Sequence, residues 1–173
     1  MPESVPASPR PRAGPGRRLA VWIATGFGLG YSPFAPGTVG SLWGVAIVVA
    51  VWPVLPSIPL QIALGVVLSL LAIGPCGAAE QHFGVKDPGR IVADEYLTFP
   101  LCMIGLPVTG AEWWVLPMAF CSCRFFDIVK PPPARRLQNL HGGLGIVIDD
   151  VFASLYSLAA NHLGYWVLKH WIG

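Results

Sequence analysis

The sequence predicts an all-α, integral-membrane helical bundle of about five apolar segments, with a short N-terminal interfacial or re-entrant helix and polar cytoplasmic loops. Three observations lead there. Of 173 residues, 54% are hydrophobic and only 12% charged, against about 25% charged in an ordinary soluble domain. The mean hydropathy of +0.60 leaves more apolar surface than so few polar groups can cover, which makes a bilayer the natural solvent for the excess. The charges are also gathered into two polar islands between apolar runs. A formal net charge of +2 does not indicate a nucleic-acid partner.

Residues 1–18, rich in Pro, Gly and Arg, read as a disordered tail, and residues 19–173 as a single helical membrane domain. No small-residue cleavage site follows the tail, so a signal peptide is not expected. Leu19 to Leu29 is apolar but too short to span, which suggests an interfacial or re-entrant helix. The turn-rich stretch GLGYSPFAPGTVGS follows. Leu42 to Leu55 and Ile58 to Ala79 then form an apolar hairpin around Pro53, Pro56 and Pro59. After the island EQHFGVKDPGRIVADE, Tyr96 to Leu106 and Trp113 to Cys123 suggest a second, shorter hairpin turning near Pro107 to Gly110. A second island, RFFDIVKPPPARRLQNLHGGLG, leads into a last apolar helix over Ile146 to Ile172. Trp113, Trp114, Trp166 and Trp171 lie near segment ends, where amphipathic rings favour the membrane interface.

Arg10, Arg12, Arg17 and Arg18 place the N-terminus in the cytoplasm by the positive-inside rule. Counting crossings from there puts both polar islands and the turn around Thr38 on the same, cytoplasmic side. That side collects Glu80, Asp87, Asp94, Glu95, Asp127, Asp149 and Asp150 together with Lys86, Arg90, Arg124, Lys130, Arg135, Arg136 and His141. A carboxylate towards the bilayer centre costs about 2.5–3.5 kcal/mol, so such groups pair with or bind something. Several of them together suggest a hard divalent cation; Mg²⁺ takes oxygen ligands and bridges to phosphate. Arg124, Lys130, Arg135 and His141 are suited to phosphate oxygens, and the HGGLG stretch precedes a helix N-terminus that favours an anion. Acids for metal and bases for phosphate, at a membrane surface, point to phosphoryl chemistry on a lipid head group.

Each residue also has a plainer reading. Arg124 and Asp127 stand at i and i+3, a simple helix ion pair; Asp94 fits a helix cap. Glu80, Lys86, Asp87 and Arg90 suit a solvated loop, and Arg135 and Arg136 suit topology determinants. The four cysteines, Cys76, Cys102, Cys121 and Cys123, lie in apolar stretches at spacings that suggest neither a zinc site nor a disulfide framework.

Three stretches resemble the phosphatidylglycerophosphatase A family. GFGLGYSPFAPGTVGSLWG resembles its N-terminal signature, with the PGT core at Pro36, Gly37 and Thr38. DPGRIVADE resembles its IVxDE segment, and CRFFDIVKPPPARRLQNLHGGLGIVIDDVFASL its FRxxDxxKPxP…HGGxGIxxDDxxAG block. The departures are Cys123 for Phe, Pro132 for an aromatic, Tyr96–Phe99 for a Gly-containing stretch and Ser154 for Gly; none removes a charged position. The resemblance implies an all-helical enzyme of the bacterial inner membrane. It would remove the terminal phosphate of phosphatidylglycerophosphate with Mg²⁺, its active site facing the cytoplasm. It implies catalytic and metal roles for Asp94, Glu95, Asp127, Asp149 and Asp150, and phosphate binding by Thr38, Arg124, Lys130, Arg135 and His141. Direct attack by water and a phospho-enzyme through Asp127 are both open, although the DxDx[TV] pattern of aspartyl phosphatases is missing. A phosphatase for another lipid, such as phosphatidic acid, and a non-catalytic lipid-binding scaffold are the alternatives. Oligomeric state is not legible.

Overall fold

The structure is a computed structural model, and it describes residues 14–108, 110–137 and 139–172. The described residues form helices and no strands. Helix α1 (Pro15–Ala24) opens on a proline in its first turn, where the missing N–H is no loss. It therefore starts four residues inside the stretch expected to be tail; residues 1–13 of that tail lie outside the described residues. Helix α2 (Pro36–Val51) also begins on proline, after Ala35 in a left-handed conformation. Helix α3 (Ile58–Phe83) follows a short turn and stops at Gly84, whose φ of 68° ends it with an N–H donated to the Glu80 carbonyl at 2.9 Å. After the polar loop come α4 (Ala93–Thr98), a 3₁₀ turn over Phe99–Met103, α5 (Val115–Val129), the four-residue α6 (Ala134–Leu137) and the long α7 (Gly143–Ile172).

Among the described residues, three helices are long and apolar enough to cross a membrane: Pro36–Val54, Ile58–Phe83 and Gly143–Trp171. The sequence had suggested about five apolar segments, and the difference lies in the second hairpin. Its first arm is α4 and the 3₁₀ turn, together about 19 Å long at 1.5 and 2.0 Å per residue. That falls short of a hydrocarbon core of about 30 Å. Pro100 sits in this arm, where it cannot supply a helical N–H. The arm is apolar because protein surrounds it: Phe99, Met103, Thr98 and Cys102 are fully buried, and α4 packs among α2, α3 and α7. The return arm, α5, has 15 residues, about 22 Å, and packs along α7.

The buried arm is held by polar contacts at the end of the bundle away from Asp94. The Trp52 indole N–H donates to the Met103 carbonyl at 3.0 Å, and the Gly105 N–H donates to Gln61 Oε1 at 2.8 Å. Asn161 on α7 donates to the Cys102 carbonyl at 3.0 Å and accepts from the Ser122 hydroxyl of α5 at 2.6 Å. Of the four tryptophans assigned to an interface, Trp113, Trp166 and Trp171 are exposed, whereas Trp114 is half-buried and stacks on Tyr165 against the core. All four cysteines are free thiols.

Asn161 is 1% exposed, so removing its amide strands the Cys102 carbonyl without water. Asn161→Leu is expected to destabilise the protein by about 1–3 kcal/mol, read as a lower thermal unfolding midpoint in detergent, while Trp113→Leu on the exposed surface leaves the midpoint unchanged.

Candidate active site

The starts of α2 and α4, the end of α5, the loop after α3 and the first turns of α7 converge on one cavity of about 390 Å³. Six carboxyl groups line it, from Asp87, Asp94, Glu95, Asp127, Asp149 and Asp150, with two bases, Arg124 and Lys130, and Thr38. Residues as far apart in sequence as Thr38 and Asp150 therefore meet, and charged residues from both polar islands are gathered in one cavity.

Arg124 is the centre of the network. Its Nη1 donates to Glu95 Oε2 at 2.5 Å and its Nη2 lies 3.0 Å from Asp127 Oδ2. The guanidinium thus ties α5 to α4 while keeping the i, i+3 pair visible in the sequence. The Ser41 hydroxyl of α2 donates to Glu95 Oε2 at 2.7 Å and also contacts the Gly37 carbonyl at 2.9 Å. Lys130 caps α5 in a left-handed conformation, φ 47°, its N–H donating to the Phe126 carbonyl. The three prolines that follow cannot extend a helix. This sharp stop aims the Lys130 ammonium at Asp149 Oδ2, 2.5 Å away on α7. Of the four bases expected to hold phosphate, Arg124 and Lys130 are thus paired with carboxylates.

Burial raises the pKa of Glu95 and Asp94, because a low-dielectric wall disfavours the ionised form. Burial pushes the Glu95 carboxyl up to about 7, against the opposing pull of Arg124. Asp94 is held well above the usual carboxylate range by burial first, then by the charges of Glu95 and Asp87. Among the described residues, three buried polar side-chain atoms have no hydrogen-bond partner: Asp94 Oδ1, Asp149 Oδ1 and Arg124 Nε. Buried polar atoms are normally satisfied, so two carboxylate oxygens and one guanidinium N–H are left to serve something that enters the cavity. Among the described residues, no three Asp, Glu, His or Cys side chains already converge as a metal shell.

Arg135 and His141 are exposed and do not line the cavity. Ala134 is the buried residue of α6, and its burial against α7 turns Arg135 and Arg136 outwards. The HGGLG turn does not line the cavity either. One contributor, Ser41, escaped the sequence reading, and two, Asp87 and Gly37, were seen there without a role in the site. Asp87 looked like solvated loop, and Ser41 looked like an ordinary small residue in an apolar helix. Gly37 was visible as part of the PGT core without a reason: a Cβ there would collide with the Glu95 carboxylate, so glycine is what lets the start of α2 lie against α4.

The sequence profile described as Phosphatidylglycerophosphatase A matches residues 22–165. The chain belongs to the phosphatidylglycerophosphatase A family. It is thereby an enzyme, a phosphatase by family. Among curated relatives, the Escherichia coli K12 protein named Phosphatidylglycerophosphatase A is 35% identical over 86% of this chain and 83% of its own length. The Haemophilus influenzae protein of the same name is 35% identical over 84% of this chain and 89% of its own. A Bacteroides thetaiotaomicron protein named "Putative phosphatidylinositol-3-phosphatase" is 38% identical over 87% of this chain and 96% of its own. No solved structure matches the chain.

If Gly37 exists to admit the Glu95 carboxylate, Gly37→Ala is expected to lower phosphatase turnover about 100-fold, the scale of a 1 Å displacement of reacting groups. Thr38→Ser, which keeps the hydroxyl and adds no atom, is expected to stay within about threefold of wild type; steady-state phosphate release from both variants checks the contrast.

Proposed function

We propose that this chain hydrolyses phosphatidylglycerophosphate to phosphatidylglycerol and inorganic phosphate with Mg²⁺. The reaction would take place at the cytoplasmic face of the bacterial inner membrane, with the three long apolar helices crossing it. One observation carries the reading: a chain of this family gathers six carboxyl groups and two bases in a single cavity. With carboxylates so much in excess, a phosphate would be repelled unless a cation entered with it. The atoms best placed to hold Mg²⁺ are the unpartnered Asp94 Oδ1 and Asp149 Oδ1, with Asp150, Glu95 and Asp127 alongside. Mg²⁺ binds through one or two carboxylates, waters and substrate phosphate. When bound it would neutralise charge on the phosphate and on the transferring group.

The chain's own residues do the rest. Arg124 and Lys130 would turn part of their donor sets from carboxylates to phosphate oxygens, Arg124 through its free Nε–H. Thr38, at the start of α2, adds a hydroxyl on the same wall. One carboxylate would take the proton from an attacking water, the work of a general base. Asp127, fixed by Arg124, is the residue through which a phospho-enzyme would instead form.

A second reading, a phosphomonoesterase for another lipid head group, is favoured by the name of the Bacteroides thetaiotaomicron relative. A panel of phosphatidylglycerophosphate, a phosphatidylinositol monophosphate and phosphatidic acid separates the readings. Phosphate release is expected to be fastest from phosphatidylglycerophosphate, to stop with EDTA and return with Mg²⁺, and to fall at least about 100-fold in Asp149→Asn. Faster release from another lipid would transfer the assignment to that lipid. Release from none, by folded protein with Mg²⁺, would leave a lipid-binding scaffold.

A further inference from the structure

Pro36 and Gly89, which line the acidic cavity, also line a second one of about 680 Å³. Its walls include Tyr31 and Ser32 from the turn before α2, Phe83 from the end of α3, and Arg90. Arg90 is the one charged residue among those walls. Its guanidinium carbon lies 5.5 Å from the centre of the Tyr31 ring and 5.9 Å from that of Phe83, both within cation–π range.

The backbone around Arg90 is held by hydrogen bonds. The Ile91 N–H donates to the Pro88 carbonyl and the Val92 N–H to the Ala24 carbonyl, each at 2.8 Å. Gly30 lies so close to the Arg90 carbonyl that a Cβ would collide with it. Yet among the described residues Arg90 forms no ion pair and spends no side-chain hydrogen bond. Stacking on rings leaves the planar edge of a guanidinium, with its N–H donors, open for a bidentate anion. Arg90 is an exposed loop residue, as the sequence suggested, and its guanidinium also lies over the Tyr31 and Phe83 rings. Lys86, from the same loop, lines neither cavity.

The two cavities divide the electrostatic work. Carboxylates outnumber bases in the first, and both bases there are already paired. The second presents one positive charge and no negative one. A lipid carrying two phosphates would be sorted by this difference: the phosphomonoester to the acidic cavity with its cation, the diester to Arg90. Resting on the lipid-phosphatase reading above, we infer that Arg90 binds the phosphodiester of the same molecule whose phosphomonoester is cleaved. The substrate class is then glycerophospholipids in which a polyol separates a phosphomonoester from a diester phosphate. Phosphatidylglycerophosphate has that form, as do phosphatidylinositol monophosphates; phosphatidic acid, with its single phosphate, does not.

The test compares kcat/KM for phosphatidylglycerophosphate and phosphatidic acid in neutral detergent micelles with Mg²⁺, where no other phosphate-bearing lipid is present. The quantity read is the preference ratio. Arg90→Ala is expected to lower it about tenfold or more, the value of hydrogen bonds to a charged group. Arg90→Lys, which keeps the charge and loses the planar fork, and Tyr31→Leu, which loosens the stack, are expected to lower it by less. Proportional losses on both lipids would make Arg90 a purely structural residue, or one serving a neighbouring lipid, and would overturn the inference. An unchanged ratio in a wild type that cleaves phosphatidylglycerophosphate would overturn it too, leaving the functional reading intact. A wild type that cleaves phosphatidic acid and not phosphatidylglycerophosphate would overturn both together.

Discussion

Six carboxyl groups share a cavity with two bases at one end of an apolar bundle, and keeping that much like charge in one place is the constraint on which the other features depend. Arg124 holds Glu95 and Asp127 at once, and Lys130 holds Asp149. These contacts also join α4, α5 and α7, and Ser41 adds α2 through Glu95. Buried ion pairs add little net stability, because the desolvation of both charges offsets most of their attraction. Removing one partner is different, since it strands a charge. The network therefore makes most sense as preorganised chemistry that the fold tolerates, with burial holding the Glu95 and Asp94 carboxyls above the usual carboxylate range.

Presenting Asp94 and Glu95 to that cavity requires a short helix that protein, not lipid, surrounds. The arm from Ala93 to Met103 meets this need by running through the bundle between α2, α3 and α7. Its far end is fixed by Trp52, Gln61 and Asn161, whose polar groups reach backbone atoms at Met103, Gly105 and Cys102. In an apolar medium those backbone groups have no water to turn to, so each contact fixes the depth of the arm. The acids at its start are positioned from both ends.

Most of the site was legible because charge is rare in this chain. Asp94, Glu95, Arg124, Asp127, Lys130, Asp149 and Asp150 each stood out against apolar surroundings, and the count of crossings put them on one side. Hydropathy was less reliable for the second hairpin. It reports that Tyr96 to Leu106 avoids water and cannot say whether lipid or protein supplies the cover. Ser41 and Glu95 are 54 positions apart, and no local pattern marks a serine in an apolar helix as a carboxylate's partner. Gly37 could be read as a motif, but its reason is a steric one that appears only when α2 meets α4. Arg135 and His141 show the converse: charge in a motif whose side chains the fold turns away from this cavity.

The central claim is that this cavity holds a divalent cation between its carboxylates. Mn²⁺ has the same charge and oxygen preference as Mg²⁺ and is visible by electron paramagnetic resonance, so titration of the detergent-purified protein with Mn²⁺ tests the claim directly. Bound Mn²⁺ that Mg²⁺ displaces, and that is lost in an Asp94→Asn, Asp149→Asn double variant which still unfolds cooperatively, is the predicted result. Unchanged Mn²⁺ binding in that variant, or none in a wild type that releases phosphate, would contradict it.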